Sequence, residues 1–210
     1  MIARRGKILL YAGAIIAAAY LITEFISVPF PAVAIWKAAG IILFGLYALA
    51  NGARLAAAGL FFSAAGDIAL ALPVPNFVAG MVFFGVAHIL YTVTFWGLIQ
   101  YKGRDPQGLA VLPAILAFSF AALVWFLPGM DALLVPGLGY QAIITVMVVV
   151  AFFSRVPLIA KVGAVLFMLS DTLIAFGLYR DIAVPPGSVW VTYALAQYLL
   201  ARGFVKARSD

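Results

Sequence analysis

Cysteine is absent from the 210 residues, and histidine occurs once, at His88. The first absence excludes disulfides, thiolate nucleophiles and thiolate-bound zinc; the second excludes a metal site built on several imidazoles. Charge is nearly as scarce, with 7 acidic and 13 basic side chains making up 10% of the chain. Soluble domains carry about 25% charged residues. With a mean hydropathy of +1.17 and 67% hydrophobic residues, the chain reads as a polytopic membrane protein.

The net charge of +6 suggests nucleic acid only until the charges are placed. Breaking the apolar runs at Pro, Gly and charge clusters predicts eight helical spans, at 8–23, 32–50, 54–72, 77–100, 108–127, 132–153, 158–178 and 187–204. Arg4, Arg5, Lys7, Arg54, Lys102, Arg104, Arg155, Lys161, Arg202, Lys206 and Arg208 then fall on one side, and Arg180, with Glu24, Asp131 and Asp181, on the other. Short loops rich in Lys and Arg stay cytoplasmic, so both termini are expected inside. The run Met1–Lys7 imitates a signal peptide but lacks a small-residue cleavage site, and is read as part of a retained first helix. The expected fold is all-α: one integral membrane domain over 1–210, with membrane lipids as partners and nucleic acid excluded.

Against this apolar background two carboxylates stand out. Asp67 lies within Leu60–Leu72 and Asp171 within Ala164–Phe176, both on helices expected to run from inside to outside. A charged side chain at such depth costs about 2.5–3.5 kcal/mol on insertion scales, so it faces a protein interior or a wet cavity. Phe62–Ala71 overlies Leu166–Ala175 without a gap, and the helices that follow carry His88 and Tyr91 in one case, Tyr193 and Gln197 in the other. This predicts two parallel four-helix halves, 1–104 and 105–210, that bring the carboxylates together.

At a rise of about 1.5 Å per residue, Lys37, Asp67, Asp171 and Tyr193 fall roughly 8–10 Å below one surface. Tyr140 and Gln197 are expected somewhat deeper, and His88 and Tyr91 deeper still. Each has a plainer reading. Lys37 is long enough to snorkel to the interface, Asp171 has Ser170 and Thr172 beside it as local partners, and Tyr140, Tyr193 and Gln197 suit interhelical hydrogen bonding. Gly66, Gly80 and Gly85 read as points of close helix approach, and Trp36, Trp96, Trp125 and Trp190 as interfacial or packing residues.

The stretch Ser63-Ala-Ala-Gly-Asp67-Ile-Ala-Leu, followed by Phe77–Tyr91 with its Gly, Phe, Ala-His and Tyr, resembles the YhhN-like lysoplasmalogenase family. Gly139-Tyr140 with Met147, Leu166–Asp171 and Tyr193-Ala-Leu-Ala-Gln197 extend the resemblance over roughly residues 30–200. One departure is that Lys37 is followed by Ala38 where the family commonly has proline. The resemblance implies an eight-helix membrane hydrolase with no known cofactor and no metal. It would cleave the vinyl-ether bond of a lysoplasmalogen, a lysophospholipid, to a fatty aldehyde and glycerophosphocholine or glycerophosphoethanolamine. The expected location is the bacterial inner membrane.

The residues suit that chemistry. Vinyl ethers hydrolyse by proton transfer to the β-carbon, giving an oxocarbenium ion that water captures, so the reaction asks for an acid, an anion and one water. Two carboxyl groups in low dielectric do not both ionise readily, which supplies such a pair. Asp67 and Asp171 are therefore the expected catalytic residues, with Lys37, His88, Tyr91, Tyr140, Tyr193 and Gln197 as substrate-binding or supporting residues. An aspartyl intramembrane protease also uses two membrane aspartates, but its Gly-x-Gly-Asp pattern is lacking because position 64 is Ala. The remaining alternative is a proton-coupled carrier built on the same buried aspartates.

Overall fold

The computed structural model describes residues 4–209; Met1–Ala3 and Asp210 of the expected domain lie outside the described residues, as do the side chains of Arg4 and Arg5. The described residues form eight α-helices: α1 Arg4–Ala19, α2 Ala32–Ala50, α3 Arg54–Leu70, α4 Phe77–Lys102, α5 Gln107–Phe126, α6 Leu134–Phe153, α7 Leu158–Arg180 and α8 Ser188–Ser209. Short 3-10 turns at Tyr20–Glu24, Leu127–Gly129 and Asp131–Leu133 continue α1, follow α5 and precede α6. No strand occurs among the described residues, only an isolated bridge between Arg104 and Ser154.

Six helices are long and apolar enough to cross a membrane: Gly6–Glu24, Ala32–Ala50, Phe77–Lys102, Gln107–Gly129, Asp131–Phe153 and Leu158–Arg180. The other two expected spans, α3 and α8, do not reach that length and apolarity. Packing explains why they need not. α3 lies between α2 and α4 and also touches α8, while α8 packs against α7, α2 and α1. Leu60 of α3 and Leu200, Ala201, Phe204 and Ala207 of α8 are buried. Helices shielded by protein can carry polar groups that lipid would reject.

Neighbours in sequence pack in pairs, and two non-sequential contacts close the bundle, α4 on α6 and α8 on α2. The α7–α8 contact is close at the backbone. A methyl group at Gly203 would come within 2.6 Å of Ala160 Cβ, and one at Gly163 within 3.0 Å of the Ala196 carbonyl oxygen. Small residues thus let two backbones touch, the usual route to association where lipid removes the hydrophobic driving force. α2 runs unbroken past Lys37, with Ala38 buried, so no kink occurs there.

The turns before α5 and α7 are clasped together at the Arg-rich end. Asp105 N donates to Phe153 O at 2.8 Å, Arg155 Nε donates to Arg104 O at 3.0 Å, and the Lys161 ammonium donates to Asp105 Oδ2 at 2.6 Å and to Phe152 O at 3.3 Å. Lys161 is 4% exposed, so removing its partner strands a buried cation. The Lys161 ammonium donating to Asp105 holds that carboxyl below its ordinary value of 3.8. A depressed carboxyl pKa stabilises the fold in full above the unfolded value and loses that contribution as pH falls through the folded one. Asp105→Asn is expected to lower thermal stability in detergent by up to about 3 kcal/mol at neutral pH. The double variant Asp105→Asn/Lys161→Met should recover most of the loss, and the difference between wild type and Asp105→Asn should shrink in strong acid.

Candidate functional site in the bundle interior

Asp171 projects from the middle of α7. Its Oδ2 accepts a hydrogen bond from the Tyr140 hydroxyl at 2.6 Å and lies 3.3 Å from His88 Nε2, which is itself 3.0 Å from the Tyr140 oxygen. The other ring nitrogen of His88 sits 3.3 Å from the Met147 sulfur, a weak acceptor and no donor. A proton on Nε2 lets imidazole and phenol both donate toward one carboxylate oxygen, whereas a proton on Nδ1 is the one directed at the sulfur. Ser170 and Thr172 do not satisfy Asp171; their hydroxyls donate to Val189 O and Met168 O.

Asp67, 2% exposed on α3, accepts from the Tyr193 hydroxyl of α8 at 2.8 Å. One partner of each aspartate comes crosswise: the aspartate of the first four helices is held from α8, and the aspartate of the last four from α4 as well as from α6 of its own half. His88 follows Asp67 as Tyr193 follows Asp171, by about one helix and a short loop.

Both aspartates line a single cavity of ≈ 250 Å³, together with Lys37, Glu24, Tyr193 and the loop 184–189. The expected layer of Lys37, Asp67, Asp171 and Tyr193 is therefore assembled. Lys37 is half-buried and turned into this cavity, with Nζ 5.9 Å from the Trp190 ring centroid, and forms no ion pair among the described residues. Trp190 is not interfacial: it is buried, donates to Ala17 O at 2.7 Å and packs beside Tyr20 and Tyr193.

Tyr91 and Gln197 form a separate pair, the phenol donating to the amide oxygen at 2.8 Å. Neither touches a carboxylate. Tyr91 lies flat against α3 because Gly59 makes room; a methyl group there would meet its ring at 2.4 Å. Of the anticipated glycines, Gly66 and Gly80 sit tight against Phe84 and Leu70, whereas Gly85 has only Tyr140 at 3.9 Å and is not a close contact.

A second cavity, largely apolar, adjoins the first. Leu70, Phe84, Asp171 and Ile174 belong to the walls of both, and the second continues past Tyr140 toward Met81, Leu123, Phe126 and Leu178. Beneath the junction Phe167, one turn before Asp171 and fully buried, packs its ring against His88, Tyr193, Phe84 and Tyr91 at centroid distances of 4.4, 5.4, 6.0 and 6.4 Å. Sequence reasoning missed Phe167, Phe84, Trp190 and Glu24. For two of these a signal existed, since Phe167 precedes Asp171 and Phe84 precedes His88 by four residues, on the same helix face.

Comparison with known proteins now has a geometry to attach to. The model of the YhhN family matches residues 32–204, which takes in every residue of both aspartate clusters. The chain belongs to the YhhN family. It is 32% identical over 162 residues to a Bos taurus protein named lysoplasmalogenase TMEM86A, and 29% identical over 156 residues to the Homo sapiens protein of that name. Each match takes in 71% of this chain and 65% of the relative, so the chain spans just under two thirds of the length of those relatives. No solved structure matches. Family membership and six membrane-length apolar helices make this YhhN protein an integral, multi-pass membrane protein.

If Phe167 is the floor that fixes His88 and Tyr193, truncating it should loosen both clusters together. Phe167→Ala is expected to cost about 3 kcal/mol or more through the void left behind. In detergent, thermal unfolding measures the loss, and a well-packed Phe167→Leu should retain most of the stability.

Proposed function

We propose that this YhhN protein is a hydrolase that cleaves the vinyl-ether bond of a lysoplasmalogen-like lipid inside the bilayer, with Asp67 and Asp171 as its catalytic residues. The observation that carries the reading is the shared wall. One carboxylate, Asp171, stands where a cavity whose wall includes Asp67, Lys37 and Glu24 meets a second cavity whose other lining residues are mostly apolar. A lysolipid has the same division, a polar glycerophosphate on one side of the reacting bond and a hydrocarbon chain on the other. Seating the head group beside Lys37 and the alkenyl chain along Met81, Leu123 and Phe126 brings the vinyl ether to the aspartates. The names of the two relatives support the same substrate class.

The roles follow from the hydrogen bonds. Asp67 accepts one bond, leaving an oxygen to carry the proton that goes to the β-carbon. Asp171 accepts from Tyr140 and His88, which suits the anion that faces the oxocarbenium ion and takes a proton from the attacking water. The water oxygen bonds to the carbon that bears the ether oxygen, the hemiacetal O–H proton moves to the departing glycerol oxygen as its C–O bond breaks to give aldehyde, and the proton held by Asp171 passes across the shared cavity to Asp67, restoring both groups. Lys37 binds the phosphate, while Tyr91 and Gln197 hold α4 to α8 without touching substrate.

The full architecture we propose has all eight helices embedded, α3 and α8 as inner spans, with both termini and the basic turns toward the cytoplasm. It comprises two parallel halves related by a pseudo-twofold axis. The crosswise aspartate partners support that relation, as does the packing of α4 on α6 and of α8 on α2.

The test is mass spectrometry of purified protein with an alkenyl lysolipid and its alkyl-ether and acyl-ester analogues, without any gradient. Aldehyde should appear from the alkenyl lipid alone. Asp67→Asn and Asp171→Asn should each lower the rate by about 10²–10⁴-fold, and Tyr91→Phe should leave it within a few-fold. A folded double aspartate variant with full activity would refute the mechanism, and gradient-driven accumulation of intact lipid would point instead to a proton-coupled carrier.

A further inference from the structure

At the opposite end of the bundle lies a concavity that the proposed reaction does not use. It has a volume of ≈ 880 Å³ and sits among the start of α3, the end of α4 and the end of α8. Asp67 is 13 residues along α3 from Arg54, a separation of about 20 Å at helical rise. The cavity has two kinds of wall. Arg54, Lys102 and Arg208 supply three cations, and Val93, Leu98 and Phe204 supply an apolar side that runs up α4 into its spanning segment.

Among the described residues these cations have no counterion; Asp210, two residues after Arg208, lies outside them. The chain holds only 7 acidic residues, and five of them (Glu24, Asp67, Asp131, Asp171 and Asp181) lie at or near the other end of their helices. Asp105 is the acidic residue near the basic turns among the described residues, and Lys161 occupies it. None of the three cations forms an ion pair among the described residues. The site is shaped as well as charged. Gly52, at φ +78°, turns the chain so that a methyl group there would lie 3.6 Å from Arg208 Nη2, which places the guanidinium over the turn into α3. Ala53, the N-cap of α3, supplies no side-chain acceptor, and Leu55 and Ala56 of the first turn line the same cavity. On α4, a methyl group at Gly97 would meet nothing within 4 Å, so the wall is open along the helix.

From this we infer that the cavity is a binding site for the phosphate of an anionic phospholipid in the leaflet at the basic end, whose acyl chain lies along the Val93–Gly97 face of α4. Phosphate is the shared chemistry of a lipid head group and of a free phosphate ester. The apolar wall favours the lipid, because a soluble ester would leave Val93, 46% exposed on α4, uncovered. The site is independent of the vinyl-ether reading and holds for any activity of the other cavity.

Native mass spectrometry of the full chain, released from nanodiscs of mixed phosphatidylglycerol and phosphatidylcholine, tests it. Wild type should retain phosphatidylglycerol in preference to phosphatidylcholine. Arg54→Gln, Lys102→Gln and Arg208→Gln should each weaken retention about 5-fold, and the triple variant on the order of 100-fold. Arg202→Gln/Lys206→Gln, which removes two exposed cations of α8 outside the cavity, should retain the lipid as wild type does. Melting temperatures in phosphatidylcholine alone should match across the set, which separates lost binding from lost folding. Equal retention of the two lipids by wild type, or equal losses in the Arg202/Lys206 control, would overturn the site. Displacement of the lipid by millimolar glycerol 3-phosphate would overturn the lipid as its ligand in favour of a soluble phosphate ester.

Discussion

A carboxylate in hydrocarbon has no water to hydrate it, and the whole bundle is organised around meeting that demand twice. Asp67 is satisfied only because α8 brings Tyr193 to α3, and Asp171 only because α4 and α6 bring His88 and Tyr140 to α7. Five of the eight helices must therefore converge on one layer. The same demand bears on α3 and α8, whose faces toward their neighbours are buried and carry Asp67, Tyr193 and Gln197 away from the surface.

Convergence alone would give a closed polar core. The cavities stay open because aromatic rings carry the load below them. Phe167 touches the partners of both aspartates, and Trp190, anchored to Ala17 O, packs beside Tyr193 and Lys37 on the Asp67 side. With those rings fixed, the aspartates keep their separate hydrogen bonds instead of collapsing onto each other. Under the proposed function, separate donors are what would keep the acid and the anion distinct within one cavity.

Much of this was legible from composition. In so apolar a chain each internal charge is conspicuous, so Asp67, Asp171 and Lys37 could be named, and helical rise put them in one layer that the structure brings around one cavity. The residues that remained hidden were ordinary ones. Phenylalanine and tryptophan on a spanning helix look the same whether they face lipid or a neighbour, and only packing shows that Phe167 is a floor while Trp96 is 47% exposed. Asp105 sits in a short polar turn, where a sequence reads solvent; its bond to Lys161, 56 residues away, depends on how two turns meet. Tyr91 and Gln197 were expected to support the aspartates from a deeper level, yet depth does not fix azimuth, and their side chains found each other instead.

Charge also sorts the two ends of the molecule. Lys37 shares its cavity with Glu24 and both aspartates, so a phosphate entering there meets one cation and several carboxyl groups. Under the proposed function this favours a zwitterionic head group, whose phosphate turns to Lys37 and whose ammonium turns to Glu24, over a lipid of net negative charge. The basic end has the reverse balance, with cations and no free carboxylate among the described residues. Under that function a membrane containing both lipid types would present each end with a different one, the zwitterion at the aspartate cavity and the anion at the proposed phosphate site. Because the two cavities lie about 20 Å apart along α3, neither lipid would need to compete with the other, and the carboxyl groups around Lys37 would disfavour an anionic lipid in the aspartate cavity.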